Sequence, residues 1–118
     1  MTVIVIDDSA TRRLALSQWL LALGHGVLCY DSVREVLDGV EPDAVDLVLV
    51  ALVMDEGNGF DSGTALRKRG FPRILLLADM VRATDDIWAK AQGLTGVVLW
   101  PLREADLEPG DDALEGRP

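Results

Sequence analysis

Apolar residues are concentrated in five short runs, at residues 2–6, 27–30, 46–53, 74–78 and 96–100, each bounded by turn-forming or polar residues. Runs of four to eight residues rich in valine, isoleucine and leucine are too short for helices and predict buried strands. The segments between them carry helical spacing. Leu16, Trp19, Leu20 and Leu23 recur at i, i+3, i+4 and i+7 in a helix over 10–23, with Gly24 placed to end it. Ser32 followed by Glu35 is a capping-box pattern that opens a short helix through Val36, Leu37 and Val40, before the chain turns at Pro42. A helix of low intrinsic propensity runs from Phe60 to Lys68, with Ser62, Gly63 and Thr64 in its middle, and another from Asp79 to Gln92.

Five strands alternating with helices predict an α/β fold, a doubly wound parallel sheet with right-handed crossovers. The 46–53 run, apolar almost throughout, is expected at its centre, covered on both faces. Chemistry in such sheets collects at the carboxyl ends of the strands. Those ends are Asp7-Asp8, the stretch from Ala51 to Asp55, Leu77-Ala78 and Trp100-Pro101.

Composition narrows the function. A length of 118 residues makes one domain. The net charge of −9 repels nucleic acid phosphates and anionic lipid, so neither is an expected partner. Residues 104–118 hold six acids and one cation, Arg117, so the last stretch reads as an acidic tail or short terminal helix after a domain spanning 1–103. One cysteine, Cys29, and one histidine, His25, exclude an intrachain disulfide and an ordinary zinc site and fit a reducing, cytoplasmic setting. No basic leader or apolar run of membrane-spanning length is present in the sequence.

Five motifs stand in order along the chain: Asp7-Asp8-Ser9, Leu23-Gly24-His25, Asp46 through Val50, Asn58-Gly59-Phe60, and Trp100-Pro101-Leu102. With this order and spacing the sequence resembles the receiver domain of two-component response regulators over residues 2 to about 103. The resemblance implies a flavodoxin-like (βα)5 fold. It also implies an acidic pair that holds Mg²⁺, a phosphoacceptor aspartate ending the third strand, a Thr or Ser ending the fourth, and a Lys before the proline after the fifth. A carboxylate nucleophile takes the phosphoryl group while the cations balance its oxygens.

Set against that pattern, the phosphoacceptor position is Ala51, the hydroxyl position Leu77 and the lysine position Trp100. The acids left are Asp7, Asp8, Asp55 and Glu56, and any Mg²⁺ site there is feeble, resting on Asp8 and the Val53 carbonyl with Asp55 or Glu56. Alternatively Asp7 and Asp8 serve only as solvated groups or caps at the start of the first helix. The switch positions, where the family couples a hydroxyl to an aromatic ring, are Leu77 and Val97, and both are expected in the core.

The expected function is that of a pseudo-receiver, a phosphorylation-independent protein-interaction module rather than an enzyme. It needs no cofactor, and a protein partner of a signalling pathway and a homodimer are expected. Leu14 and Leu21, opposite the core stripe of the first helix, are the candidate interface together with Trp88 and Trp100. A curtailed last helix is expected to uncover apolar surface on the first helix and the sheet. Trp100 either fills the emptied pocket across Ala51 or projects beside Trp88 as an anchor. Two other readings remain: a small molecule in the vacated pocket, with Trp100 stacked on it and Asp7, Asp8 or Glu56 selecting its charge, and phosphotransfer through a relocated acceptor, Asp8 or Asp55.

Overall fold

A computed structural model of the chain describes residues 1–55, 57–80 and 83–108. The apolar runs form strands β1 (Thr2–Ile6), β2 (Gly26–Tyr30), β3 (Leu47–Ala51), β4 (Ile74–Ala78) and β5 (Gly96–Leu99). Helices α1 (Ala10–Ala22), α2 (Val33–Gly39), α3 (Gly59–Arg69) and α4 (Ala83–Ala91) alternate with them. All strand pairs are parallel, in the order β2-β1-β3-β4-β5. This is the five-stranded doubly wound sheet of the flavodoxin-like class, and its strand order reverses between β1 and β3, where the carboxyl ends leave a crevice.

Side chains alternate across the sheet and build two cores. Ile4, Ile6, Val48, Val50, Ile74 and Leu76 meet Val36 of α2, Leu66 of α3 and Ala89 of α4 on one face. Val3, Val5, Leu47, Leu49, Leu75 and Leu77 meet Leu16 and Leu20 of α1 on the other. Every residue of β3 and β4 is buried, as continuous apolar runs in a parallel sheet require.

The third strand, the cap of α2 and the bare surface expected near residue 103 are corrected, whereas the helix over 60–68 and the curtailed last helix hold. The third strand stops at Ala51: the Leu52 N–H still bonds the Leu77 carbonyl of β4 at 2.8 Å, but the Leu52 carbonyl accepts the Gly59 N–H and the chain turns, leaving Val53 exposed. Ser32 stands at the N-cap of α2 without a side-chain cap bond, and Glu35 instead meets Asp31, whose hydrogen bond and then whose charge push the Glu35 pKa up. The Ser62-Gly63-Thr64 stretch is fully helical: a Cβ on Gly63 would lie 2.7 Å from Leu94 Cδ1, so tight packing of α3 against the segment before β5 outweighs poor propensity. After β5 the chain makes a single 3₁₀ turn, Glu104–Leu107, in place of a longer helix. Leu102 and Leu107 are nevertheless buried against the α1-side core, so the sheet beneath is covered and not bare. Among the described residues no helix is long and apolar enough to cross a membrane.

Candidate functional site

The site begins where β1 runs out. Asp7 follows Ile6 and is 1% exposed. Its Oδ1 accepts the Ser9 N–H at 2.9 Å, and Ser9, the true N-cap of α1, accepts the Arg12 N–H on its hydroxyl at 3.2 Å. The capping role considered for Asp7 and Asp8 thus falls to Ser9. One turn into the helix, Arg12 sends its side chain back toward the strand end, as helical side chains lean toward the N-terminus. Its Nε lies 3.3 Å from Asp7 Oδ2, and its Nη2 donates to Asp79 Oδ2, also at 3.3 Å, in the segment after β4. The guanidinium carbon stands 5.9 Å from the centre of the Trp100 ring. Arg13 donates to the Asp7 carbonyl.

Asp8 turns to another task. Its Oδ2 accepts the Asp55 N–H at 2.6 Å, tying the β3–α3 loop to the end of β1. The same loop is closed by the Gly59 N–H on the Leu52 carbonyl at 2.8 Å and by an antiparallel bridge between Val53 and Asn58. Asp8 and Asp55 line an open cleft of about 490 Å³ together with Asp31, Ser32, Val33, Arg34 and Met54. Glu56 lies outside the described residues.

The remaining positions are distributed unlike the expectation. Ala51 ends β3 fully buried, paired in register with Leu77, also buried. Trp100 does not lie in the acidic cleft. Its N–H bonds the Ala78 carbonyl at 2.8 Å, and its half-buried ring packs on the α1 side, lining a second cavity of about 280 Å³ with Ala15, Leu16, Trp19, Pro101 and Leu102. Asp8 and Trp100 therefore line different cavities. Nor is Trp100 beside Trp88, which projects from α4 in the layer on the opposite face of the sheet. Leu77 and Val97 also belong to different cores, and Val97, on the edge strand, is only partly buried. Leu14 and Leu21 are 59% and 57% exposed, as their helical phase predicts.

Burial raises the Asp7 pKa, with Asp8 adding to the rise; the Ser9 N–H and the Arg12 guanidinium oppose it without cancelling it. The folded state therefore binds the Asp7 proton more tightly than the unfolded chain does. The resulting cost of ionised Asp7 is absent below the ordinary aspartate pKa and sets in as pH rises through the folded value. Asp7→Asn is expected to remove this pH-dependent cost, so that the variant loses less stability than the parent as pH rises from acid to neutral. Paired thermal melts from pH 3.5 to 7 check this (a range of roughly the aspartate titration), and a variant whose stability falls as steeply as the parent's contradicts it.

The family pattern described as "Response regulator receiver domain" matches residues 3–109, and the chain belongs to that family. It is a receiver domain of two-component signalling. Protein PilH of Pseudomonas aeruginosa is 28% identical over 109 residues, covering 89% of each chain. The sensory/regulatory protein RpfC of Xanthomonas campestris is 34% identical over 101 residues, which make up 77% of this chain and 14% of RpfC. The chain thus spans a small part of RpfC's length. The chemotaxis protein CheY4 of Vibrio cholerae superposes with a TM-score of 0.77 at 26% identity, covering 97% of this chain and 95% of that one.

The Mg²⁺ that the family implies does not fit the residues present. Asp8 spends one carboxylate oxygen on the Asp55 N–H, and Asp7 already faces a guanidinium. Where β3 ends there is a methyl group, and among the described residues no three carboxylate, histidine or cysteine groups are placed to share a metal ion. Among the described residues Mg²⁺ is left the second Asp8 oxygen, the Asp55 carboxylate, carbonyls and water, a poorer donor set than the family's acidic pair with a third carboxylate at the end of β3.

Proposed function

We propose that this receiver works without phosphorylation, as a pseudo-receiver that presents surfaces to protein partners of a two-component pathway in the cytoplasm. The observation that carries the reading is the trio of strand ends: a buried methyl at Ala51, an isobutyl group at Leu77 and an indole at Trp100. On the family pattern these are the positions of nucleophile, hydroxyl and ammonium, and none of the three side chains can accept a phosphoryl group or neutralise its oxygens. Asp55 offers no substitute, because it lies beyond the strand end and its backbone is held by Asp8. With Leu77 and Val97 in separate cores, a hydroxyl-to-aromatic relay has no parts either.

What remains is surface. The Leu14 and Leu21 stripe on α1 is the contact we assign to a homodimer, and Trp88 on α4 an anchor for a partner. Incubation with acetyl phosphate and Mg²⁺ is expected to leave the intact mass unchanged and the light-scattering mass the same before and after. A base-labile gain of about 80 daltons, one phosphoryl group, overturns the reading. In the same scattering run Leu14→Asp is expected to shift the dimer to monomer, and a parent chain that is already monomeric removes the homodimer.

A further inference from the structure

We propose that the guanidinium of Arg12 is the resident cation of the strand-end acids: it takes the place of a divalent ion, pins the ends of β1, β4 and β5 together and keeps such an ion out. Its two nitrogens reach two carboxylates, Asp7 and Asp79, at 3.3 Å each, while its face lies over Trp100 with the centroid 5.9 Å away. A planar cation with several donors suits this three-way contact, whereas a point-charged ammonium does not. Asp7 Oδ2 is buried and has no hydrogen-bond partner, so the Arg12 ion pair is the compensation described for that charge. The Asp79 end is 68% exposed and screened by water. Arg12 is thus locked at Asp7 and tethered at Asp79.

The two departures from the family pattern at this corner support each other. A lysine at position 100 would push its ammonium against the guanidinium, while the indole offers it a negative π-face. A dication approaching Asp7 meets the same fixed positive charge, and the Asp8 oxygen it would need is held by the Asp55 N–H. The strand ends are consequently held in one arrangement with neither metal nor phosphoryl group. This goes beyond the proposed phosphorylation independence and is tested separately: a chain that binds metal but takes up no phosphoryl group refutes this inference alone.

Mn²⁺ is the probe, read by paramagnetic broadening of the amide signals of residues 7–9. The parent chain is expected to show no saturable broadening up to about 10 mM, beyond the range of weak oxygen-ligand cation sites. Arg12→Ala is expected to gain saturable broadening at those amides, with at least tenfold tighter apparent binding. Saturable binding by the parent, or a folded Arg12→Ala that binds no better, overturns the inference. Should Arg12→Ala fail to fold, the Arg12 Nε–H signal of the parent decides: it is expected to be slow in solvent exchange and to become fast in Asp7→Asn. Fast exchange in the parent overturns the inference equally.

Discussion

Replacing Gly59 with alanine is expected to lower the unfolding free energy by about 2–4 kcal/mol, although the substitution adds one methyl group at a helix start where alanine is otherwise favourable. A Cβ there would lie 2.7 Å from both the Ala51 carbonyl oxygen and Leu52 Cα, and 3.2 Å from the Ala51 carbonyl carbon. All three atoms are backbone, so no side chain can swing away. Either α3 backs off from the end of β3 or the strand end moves, and both break the 2.8 Å bond from the Gly59 N–H to the Leu52 carbonyl. That bond closes the loop which Asp8 holds through Asp55, so the acidic cleft should loosen too. Gly39→Ala is the control. It ends α2 with open space around it and φ outside the left-handed region, so it is expected to be neutral or to stabilise by about 0.5–1 kcal/mol. Urea unfolding of the two variants beside the parent checks both signs. A Gly59→Ala loss no larger than the Gly39→Ala change contradicts the close-approach argument.

The fold was legible because its strands are written in the plainest signal available, uninterrupted apolar runs in β3 and β4 separated by helical spacing. The acidic pair and the Asn58-Gly59 turn were legible for a similar reason: both are local in sequence and sit at strand ends. Arg12 was not. It reads as one of two adjacent arginines on an amphipathic helix, and apart from the nearby Asp7 its partners lie 67 residues away at Asp79 and 88 away at Trp100. One signal could have found it. Losing the cation at position 100 leaves buried acid without a counter-charge, and the nearest cation able to return to the strand end lies one turn into α1. Trp100 was misplaced for a subtler reason. Val97 belongs to the α2–α4 core and Val98 to the α1 core, so strict alternation continued through the Trp100–Ala78 bond puts the indole on the α1 side, away from Trp88.

Ala51→Asp, which supplies the carboxylate the family pattern asks for, is expected to destabilise the chain by about 3–5 kcal/mol at pH 7 without giving a lasting phosphoryl adduct. Position 51 is fully buried. Because Ile6 pairs with Val50, the residues that follow them, Asp7 and Ala51, come side by side at the strand ends. A new carboxylate would be desolvated and set next to another carboxylate, while the nearby guanidinium is already shared between Asp7 and Asp79. Its register partner on β4 is Leu77, which has no proton to donate. Burial and like charge both raise its folded pKa above the unfolded value. The loss is therefore full above that raised pKa, shrinks as pH falls through it, and is least below the ordinary aspartate pKa near 4. Ala51→Asn adds the same bulk without the charge and is expected to cost less, about 1–3 kcal/mol, with little pH dependence. Equilibrium unfolding of the pair at pH 4 and pH 7 (roughly the start and end of carboxylate ionisation) separates charge from size. Even where Ala51→Asp stays folded, attack on a phosphodonor would build negative charge between Leu77 and Trp100, neither of which can stabilise it. An Ala51→Asp variant as stable as the parent at pH 7 would mean that the strand end tolerates a second charge. One that accumulates a base-labile adduct of about 80 daltons would mean that the missing aspartate alone silences the site.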